Sequence, residues 1–302
     1  MNTNDMTHNE WLAQRRKGLG GSDAGAILGV NKWSSPLDVY LDKIGQSLPI
    51  ADNDAMYWGR ELEDIVATEY TKRTGNKTRR RNAILKHSDH DFILANLDRD
   101  LIGKKGILEC KTAFRPDGWG ADGTDEVPES YLAQVMHYMA VTKSEYADVA
   151  VLIGGRDFRI YTIKRDDDLI NAIIEREVTF WNEHVLAKVA PDPINNNDLN
   201  NQWPHDNGET VYADDNQEQR VSTLKNIKQK IKDLGSNAKE LEVEIKKDMA
   251  DASVLSDAAG KILATWKDRT SKRLDTKRLK EEQADLYVQY AVESSSRAFL
   301  IK

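Results

Sequence analysis

Three carboxylates and a lysine stand close together in the stretch from Asp91 to Ala113 (DFILANLDRDLIGKKGILECKTA): Asp98, Asp100, Glu109 and Lys111. Two apolar runs flank Gly103-Lys104-Lys105-Gly106, a composition that favours a tight turn and predicts a β-hairpin. Side chains alternate along a strand, so Glu109 and Lys111 share one face while Leu108 and Cys110 take the other. A turn centred between Lys104 and Lys105 pairs Asp98 with Lys111 and Asp100 with Glu109, gathering all four polar groups on one face. So gathered, the acids repel and desolvate one another unless a cation is bound. Carboxylate oxygens suit Mg²⁺, which keeps several waters and takes few protein ligands beside a substrate phosphate. A bound dication acidifies water, and Lys111 is placed to orient that water or to stabilise developing phosphate charge. The expected chemistry is phosphodiester hydrolysis. Taken alone, an acid–x–Lys triplet also fits an exposed ion-pair ladder worth ~0–1 kcal/mol, so other parts of the chain must decide.

Three further blocks carry suitable residues. Trp58-Gly59-Arg60-Glu61-Leu62-Glu63 opens a helix with Leu62, Val66 and Tyr70 on its apolar side; at about 100° per residue Glu63 falls on or beside that stripe. In the helix expected over Tyr131–Tyr138, Tyr131, Gln134 and Tyr138 lie on one face and can act on one ligand together, while His137 points elsewhere and reads as structural. Arg15-Arg16-Lys17-Gly18-Leu19-Gly20-Gly21-Ser22-Asp23 is basic and glycine-rich and precedes a helix expected over Ala24–Leu28. Its glycines permit close backbone approach, Ser22 or Asp23 can cap the helix, and the free N–H groups attract phosphate. Asp23 is unfavourable beside an anion and is assigned to the cap.

These residues need a folded scaffold, and the composition supplies one. The chain has 302 residues, 39% hydrophobic and 31% charged, enough for two domains each with a core. Up to Val189 helical and strand patterns alternate, as in an α/β or α+β core. The Asn-, Asp- and Pro-rich stretch from Ala190 to Gln217 reads as a linker. Beyond it, Val221, Leu224, Ile227, Ile231, Leu234, Ala238, Leu241 and Ile245 recur three or four apart and predict a long amphipathic helix over Gln217–Ala252. A hairpin is expected from Val254–Leu255 and Lys261–Trp266, then a helix over Asp275–Tyr290 and a terminal strand, Arg297–Ile301.

Charge and cysteine narrow the chemistry. The net charge is −7 with 43 Lys+Arg against 50 Asp+Glu. Residues 201–302 hold 18 of each sign, so the first 200 carry 25 against 32 and all of the excess acid. One cysteine, Cys110, excludes an internal disulfide, a multi-thiolate zinc site and a four-cysteine iron–sulfur cluster, so any metal is expected on oxygen and nitrogen ligands. No window is apolar enough for a membrane span and the first ten residues lack an export signal, which predicts a cytoplasmic protein.

Asp98 followed by Glu109-Cys110-Lys111 on the next strand resembles the PD-(D/E)xK nuclease superfamily, and within it the YqaJ-type phage recombinases, the group of phage lambda exonuclease. The likeness extends through Arg15–Gly45, Trp58–Gly75 and Tyr131–Thr142. Leu97 stands where the superfamily's proline would be. The resemblance implies a restriction-endonuclease-like α/β (α+β) nuclease core over 1–190, a linker over 191–216, and a smaller C-terminal α+β domain of helix, hairpin and helix over 217–302 for oligomer, DNA or partner contacts. It selects Asp98 over Asp100 and implies that Glu63, Asp98, Glu109 and the Cys110 carbonyl hold Mg²⁺, with Mn²⁺ able to substitute. Lys111 would position the attacking water, and Gln134 would orient Lys111 or the scissile phosphate. Arg15 and Ser22, with Lys32 more loosely placed, would receive a terminal 5′-phosphate, and Tyr131 and Tyr138 would lie beside DNA. The activity implied is 5′→3′ exonuclease resection of linear double-stranded DNA in phage-type homologous recombination, in a bacterial host cell, from a phage or prophage. The implied partners are a single-strand annealing protein and further copies of the chain in a ring, a trimer being favoured. The rival readings are a structure-directed or site-specific endonuclease on the same core, a catalytically silent DNA-binding scaffold, and a metal-independent interaction protein.

Overall fold

The structure is a computed structural model that describes every residue except 1, 4, 5, 48–51, 294 and 295, together with the side chains of 8 and 9. The chain divides into two compact units, Met1–Gln202 and Trp203–Lys302.

In the first unit the order is α1 (His8–Arg15), β1 (Leu19–Gly20), α2 (Gly21–Ile27), α3 (Pro36–Lys43), α4 (Asp54–Thr74), β2 (Thr78–Arg80), β3 (Leu85–Lys86), β4 (Ile93–Ala95), β5 (Arg99–Leu101), β6 (Gly106–Ala113), α5 (Glu129–Thr142), β7 (Tyr146–Ile153), β8 (Asp157–Lys164), α6 (Asp167–Phe180), a π-helical turn at Trp181–Leu186, and α7 (Asn196–Gln202). Five strands form a mixed sheet in the order β2-β5-β6-β7-β8. The central pair β6–β7 is parallel and the other neighbours are antiparallel. A parallel pair needs a crossover, which α5 provides. Both faces of β6 are covered, and the strand is buried without a break from Gly106 to Cys110. On one face Leu108 and Cys110 pack with Val66, Ala67 and Tyr70 of α4. On the other, Ile107 joins Val135, Met136 and Met139 of α5. The mixed α/β architecture is the one expected.

The hairpin exists but with a different register. Arg99 lies opposite Leu108 and Asp100 opposite Ile107. Gly103 adopts a left-handed φ of 75° and brings the reversal forward. Asp98, immediately before β5, falls on this register opposite Glu109 rather than Lys111, and Asp100 moves away from Glu109. The apolar run before Asp98 is not part of this hairpin either: β4 joins a separate three-stranded sheet, β1-β4-β3.

Part of the stretch expected as linker is α7, anchored by the buried Asp198. Its carboxylate accepts from Ser35 Oγ at 2.7 Å and from Ile194 N–H at 2.9 Å. Such links tie a polar segment down without an apolar core.

The second unit comprises α8 (Asp215–Met249), β9 (Val254–Ser256), β10 (Ile262–Thr265), α9 (Thr276–Glu282) and α10 (Ala284–Tyr290). Asp214 and Gln217 form a capping box that starts α8, and β9 and β10 pair as an antiparallel hairpin. The helix expected over Asp275–Tyr290 is interrupted at Gln283, and Arg297–Ile301 forms no strand. Met249 is the one buried apolar residue among the described residues of this unit, so it has little core to order a terminal strand. Among the described residues no helix is long and apolar enough to cross a membrane.

Candidate active site

Glu109 and Lys111 project from β6 on its α5 side, and the crossover helix delivers Gln134 to the same point. Lys111 Nζ donates to Glu109 Oε1 at 2.7 Å and to Gln134 Oε1 at 3.1 Å. The Gln134 amide donates to Glu109 Oε1 at 2.7 Å and to the Tyr138 hydroxyl at 3.1 Å. Glu109 is 3% exposed. Across the ladder, Asp98 Oδ2 accepts from the Cys110 N–H at 2.8 Å, which fixes the carboxylate beside β6.

The electrostatics show more negative charge than one ammonium neutralises. Burial, then Glu109 and Glu63, push the Asp98 carboxyl well above the ordinary aspartate range, and Lys111 and the Cys110 N–H offset only part of this. Glu109 is likewise raised by burial, against the pull of Lys111. Burial disfavours the Lys111 ammonium, but Glu109 and Asp98 outweigh it and hold the lysine charged.

Glu63, half-buried on α4, completes the acid set from the other side. Its Oε1 accepts from Arg99 at 2.5 Å and from Arg80 at 3.3 Å. Arg99, itself buried, also pairs with Asp64 and donates to the Asp98 carbonyl. Among the described residues no three His, Cys, Asp or Glu side chains already converge as a ligand set, and the arginine clamp on Glu63 is a physical reason. The donor set nevertheless fits a hard dication: all-oxygen carboxylates, two of them raised in pKa by burial and unneutralised negative charge. Asp100 belongs elsewhere, held by Arg79 and Arg81 at 3.1 and 2.9 Å.

The glycine-rich block lies against this cluster. Gly21 packs so closely on Tyr138 that a Cβ there would fall 2.4 Å from the ring. Tyr138 is consequently 6% exposed, and its hydroxyl accepts from the Gln134 amide. Tyr131 stays partly accessible, its ring 4.8 Å from Lys111 Nζ and against Trp119. Arg15 donates to Ser22 Oγ at 2.8 Å, bringing that expected pair together. Asp23 does cap: its Oδ2 accepts from the Gly20 N–H at 2.8 Å and pairs with Lys43. Lys32 follows α2 in the chain, and no contact places it with Arg15 and Ser22.

The family described as the YqaJ-like viral recombinase domain matches residues 10–145, which contain every residue of the cluster. The protein YqaJ of Bacillus subtilis strain 168 is 43% identical over 309 residues, covering 99% of this chain and 95% of its own. The chain belongs to the YqaJ family. Among solved structures it is similar to an alkaline exonuclease from Laribacter hongkongensis, at 20% identity over 60% of this chain and 94% of that one, TM-score 0.46. It is also similar to a phage-related exonuclease from Haemophilus somnus 129PT, at 16% identity over 57% and 95%, TM-score 0.47.

Sequence reasoning passed over one group that this YqaJ-family fold places at the site and left the partners of another open. Arg99 could be suspected only from its position between two acids. His137, fully buried, meets Glu177 Oε1 at 2.7 Å through Nδ1 and the Leu94 carbonyl at 2.8 Å through Nε2. It ties α5 to α6 and β4, the structural role expected. Burial opposes a charged imidazole there, but Glu177 outweighs it and raises the His137 pKa.

Proposed function

We propose that this YqaJ-family protein is a Mg²⁺-dependent nuclease that resects linear double-stranded DNA with 5′→3′ polarity, Mn²⁺ being able to substitute. The observation that carries the reading is the Asp98–Glu109–Lys111 cluster: two carboxyls raised in pKa, one just before β5 and one on β6, beside an ammonium held charged. Such a cage is costly by itself and useful only with a cation and an anionic substrate. In this reading Asp98, Glu109, Glu63 and the Cys110 carbonyl hold the cation, which when bound would supply Lewis acidity toward phosphate and water. Lys111 orients the attacking water and supports charge developing on the phosphate, and Gln134 fixes the Lys111 ammonium through its amide oxygen. Tyr138 and Gly21 hold Gln134 in turn. Arg15 and Ser22 receive a terminal 5′-phosphate, and Tyr131 offers its ring beside the strand.

A polyanionic substrate also suits the neighbouring surface. A cleft of about 690 Å³ beside the hairpin turn is lined by Arg79, Arg81, Lys86, Lys104, Lys105 and Lys143, with Asp100 as its one carboxylate. This positive concentration stands out on a chain of net charge −7. Membership of a viral recombinase family fits the same class of reaction. We extend the reading to phage-type homologous recombination in the bacterial cytoplasm, with a single-strand annealing protein as partner and a homo-oligomeric ring of the chain, a trimer being favoured.

The test is digestion of end-labelled linear duplex with and without a 5′-phosphate, with Mg²⁺ or with chelator, alongside a closed circle. Expected is stepwise release from phosphorylated 5′ ends, dependent on Mg²⁺, with the circle intact. Opening of the circle selects the endonuclease; no cleavage under any condition selects the silent scaffold. Lys111→Ala should reduce cleavage by about 10²–10³-fold, the scale of losing one electrostatic stabiliser, with an unchanged circular-dichroism spectrum. Normal digestion by Lys111→Ala refutes the assignment.

A further inference from the structure

Helix α8 carries an apolar seam that the described residues of its own unit leave exposed. From Leu224 onward its apolar residues alternate by three and four: Leu224, Ile227, Ile231, Leu234, Ala238, Leu241 and Ile245. That is the a/d pattern of a coiled coil, which averages 3.5 residues and marks a helix-to-helix interface rather than a broad core-facing stripe. The side chains along it are exposed: Ile227 47%, Ile231 63%, Leu234 67%, Leu241 59% and Ile245 42%. The C-terminal tail touches the early turns, where Lys225 Nζ reaches the Lys302 carbonyl at 3.4 Å and Lys228 Nζ lies 6.0 Å from the Phe299 ring.

The residues flanking the seam say what covers it. With Leu224 at an a position, the e and g flanks carry Lys228 and Lys230 in the first half and Glu242 and Glu244 in the second, with Gly235 and Asn237 between them. In a parallel pairing of two such helices the flank partners are Lys228 with Thr223, Lys230 with Gly235 and Asn237 with Glu242, none of them an opposite-charge pair. An antiparallel pairing that stacks a on d sets Ile231 on Leu241, Ala238 on Leu234 and Ile245 on Ile227. The same alignment brings Lys228 to Glu242 and Lys230 to Glu244, each pair occurring twice by symmetry. It also sets Gly235 and Asn237 about the two-fold axis. An isologous contact must be self-complementary in this way, with residue i meeting j and j meeting i. Gly235 otherwise weakens the helix interior; near the axis it permits close approach, and the Asn237 amides can bond across it.

We propose that α8 pairs with α8 of a second copy of this chain as a two-stranded antiparallel coiled coil. The occupant follows from charge complementarity along an uncovered seam, and the contact is independent of the nuclease reading. Its two-fold symmetry makes it distinct from the rotational contact that closes a ring.

Light scattering on the full chain, in chelator and moderate salt, tests it. The expected mass is an even multiple of 34.2 kDa, six chains where two of the trimeric rings proposed above are joined through α8. Lys228→Glu with Lys230→Glu should halve that mass, as should Glu242→Lys with Glu244→Lys. All four substitutions together should restore it, because every reversed charge then meets a reversed partner. The four side chains are exposed, so helix content by circular dichroism reports whether each variant stays folded. An odd multiple of the chain mass, no change in either double variant, or no rescue in the quadruple variant would overturn the pairing.

Discussion

Replacing Asp98 with asparagine should make the cation-free protein more stable while removing its response to Mg²⁺. The amide oxygen of the new side chain keeps the hydrogen bond from the Cys110 N–H, 2.8 Å in the native protein, and side-chain volume is nearly unchanged. What disappears is a carboxylate whose ionisation is opposed by burial, Glu109 and Glu63. A tenfold change in acidity corresponds to about 1.4 kcal/mol, and relieving a poorly compensated buried charge gains ~1–3 kcal/mol. At ~2–4 °C per kcal/mol in a protein of this size, Tm rises by roughly 2–12 °C. The pH dependence has a definite sign. Because the folded pKa lies above the unfolded one, native Asp98 holds its proton where the unfolded chain has lost it, and wild-type stability falls as pH rises between the two values. The variant lacks this fall, so the two melt together below about pH 3.9 and separate as pH rises through the elevated Asp98 pKa. Mg²⁺ at a hundred times its Kd should add about 2.7 kcal/mol to the wild type and little to the variant. Melts across pH, with chelator and with Mg²⁺, measure both effects. A variant less stable than wild type in chelator at neutral pH, or equal Mg²⁺ stabilisation of both proteins, would refute the electrostatic account of the cluster.

Other substitutions probe the supports. Gly21→Val drives a side chain into the Tyr138 ring and should cost about 1–3 kcal/mol by overpacking, read by denaturant unfolding, with activity lost as Gln134 shifts. Arg15→Ala should erase the preference for 5′-phosphorylated over 5′-hydroxyl ends while phosphodiester hydrolysis itself persists, read in competition digests. Glu177→Gln removes the carboxylate that raises the His137 pKa against burial in the core. The raised His137 pKa contributes stability fully present below about pH 6.5 and lost as pH climbs through the folded value, so the variant's deficit should be largest near pH 6 and narrow at alkaline pH in parallel melts.

The acid–acid–lysine signature lies within fourteen residues of sequence, Asp98 to Lys111, so local alternation and one turn were enough to gather the candidates, while the family resemblance chose Asp98 over Asp100. The helices bearing Glu63 and Gln134 were legible for the same reason, since each shows a local apolar period. Register was not legible. It depended on which residue of Gly103-Lys104-Lys105-Gly106 would take a left-handed φ, and a displacement of the turn moved Asp98 from Lys111 to Glu109. Tyr138 shows a further limit. An aromatic on a helix face looks the same whether it meets solvent or a glycine far away in sequence, and only the packing of Gly21 decided between them.

The sequence by itself determined residue chemistry, helix periods, the apolar seam of α8 and the absence of a multi-thiolate metal site, because these are properties of composition and of near neighbours along the chain. Tertiary structure alone decided which acids share a low-dielectric space, which are drawn off by arginines, and that His137 and Glu177 meet in the core. Burial and long-range charge are sums over segments distant in sequence, and no local pattern encodes them.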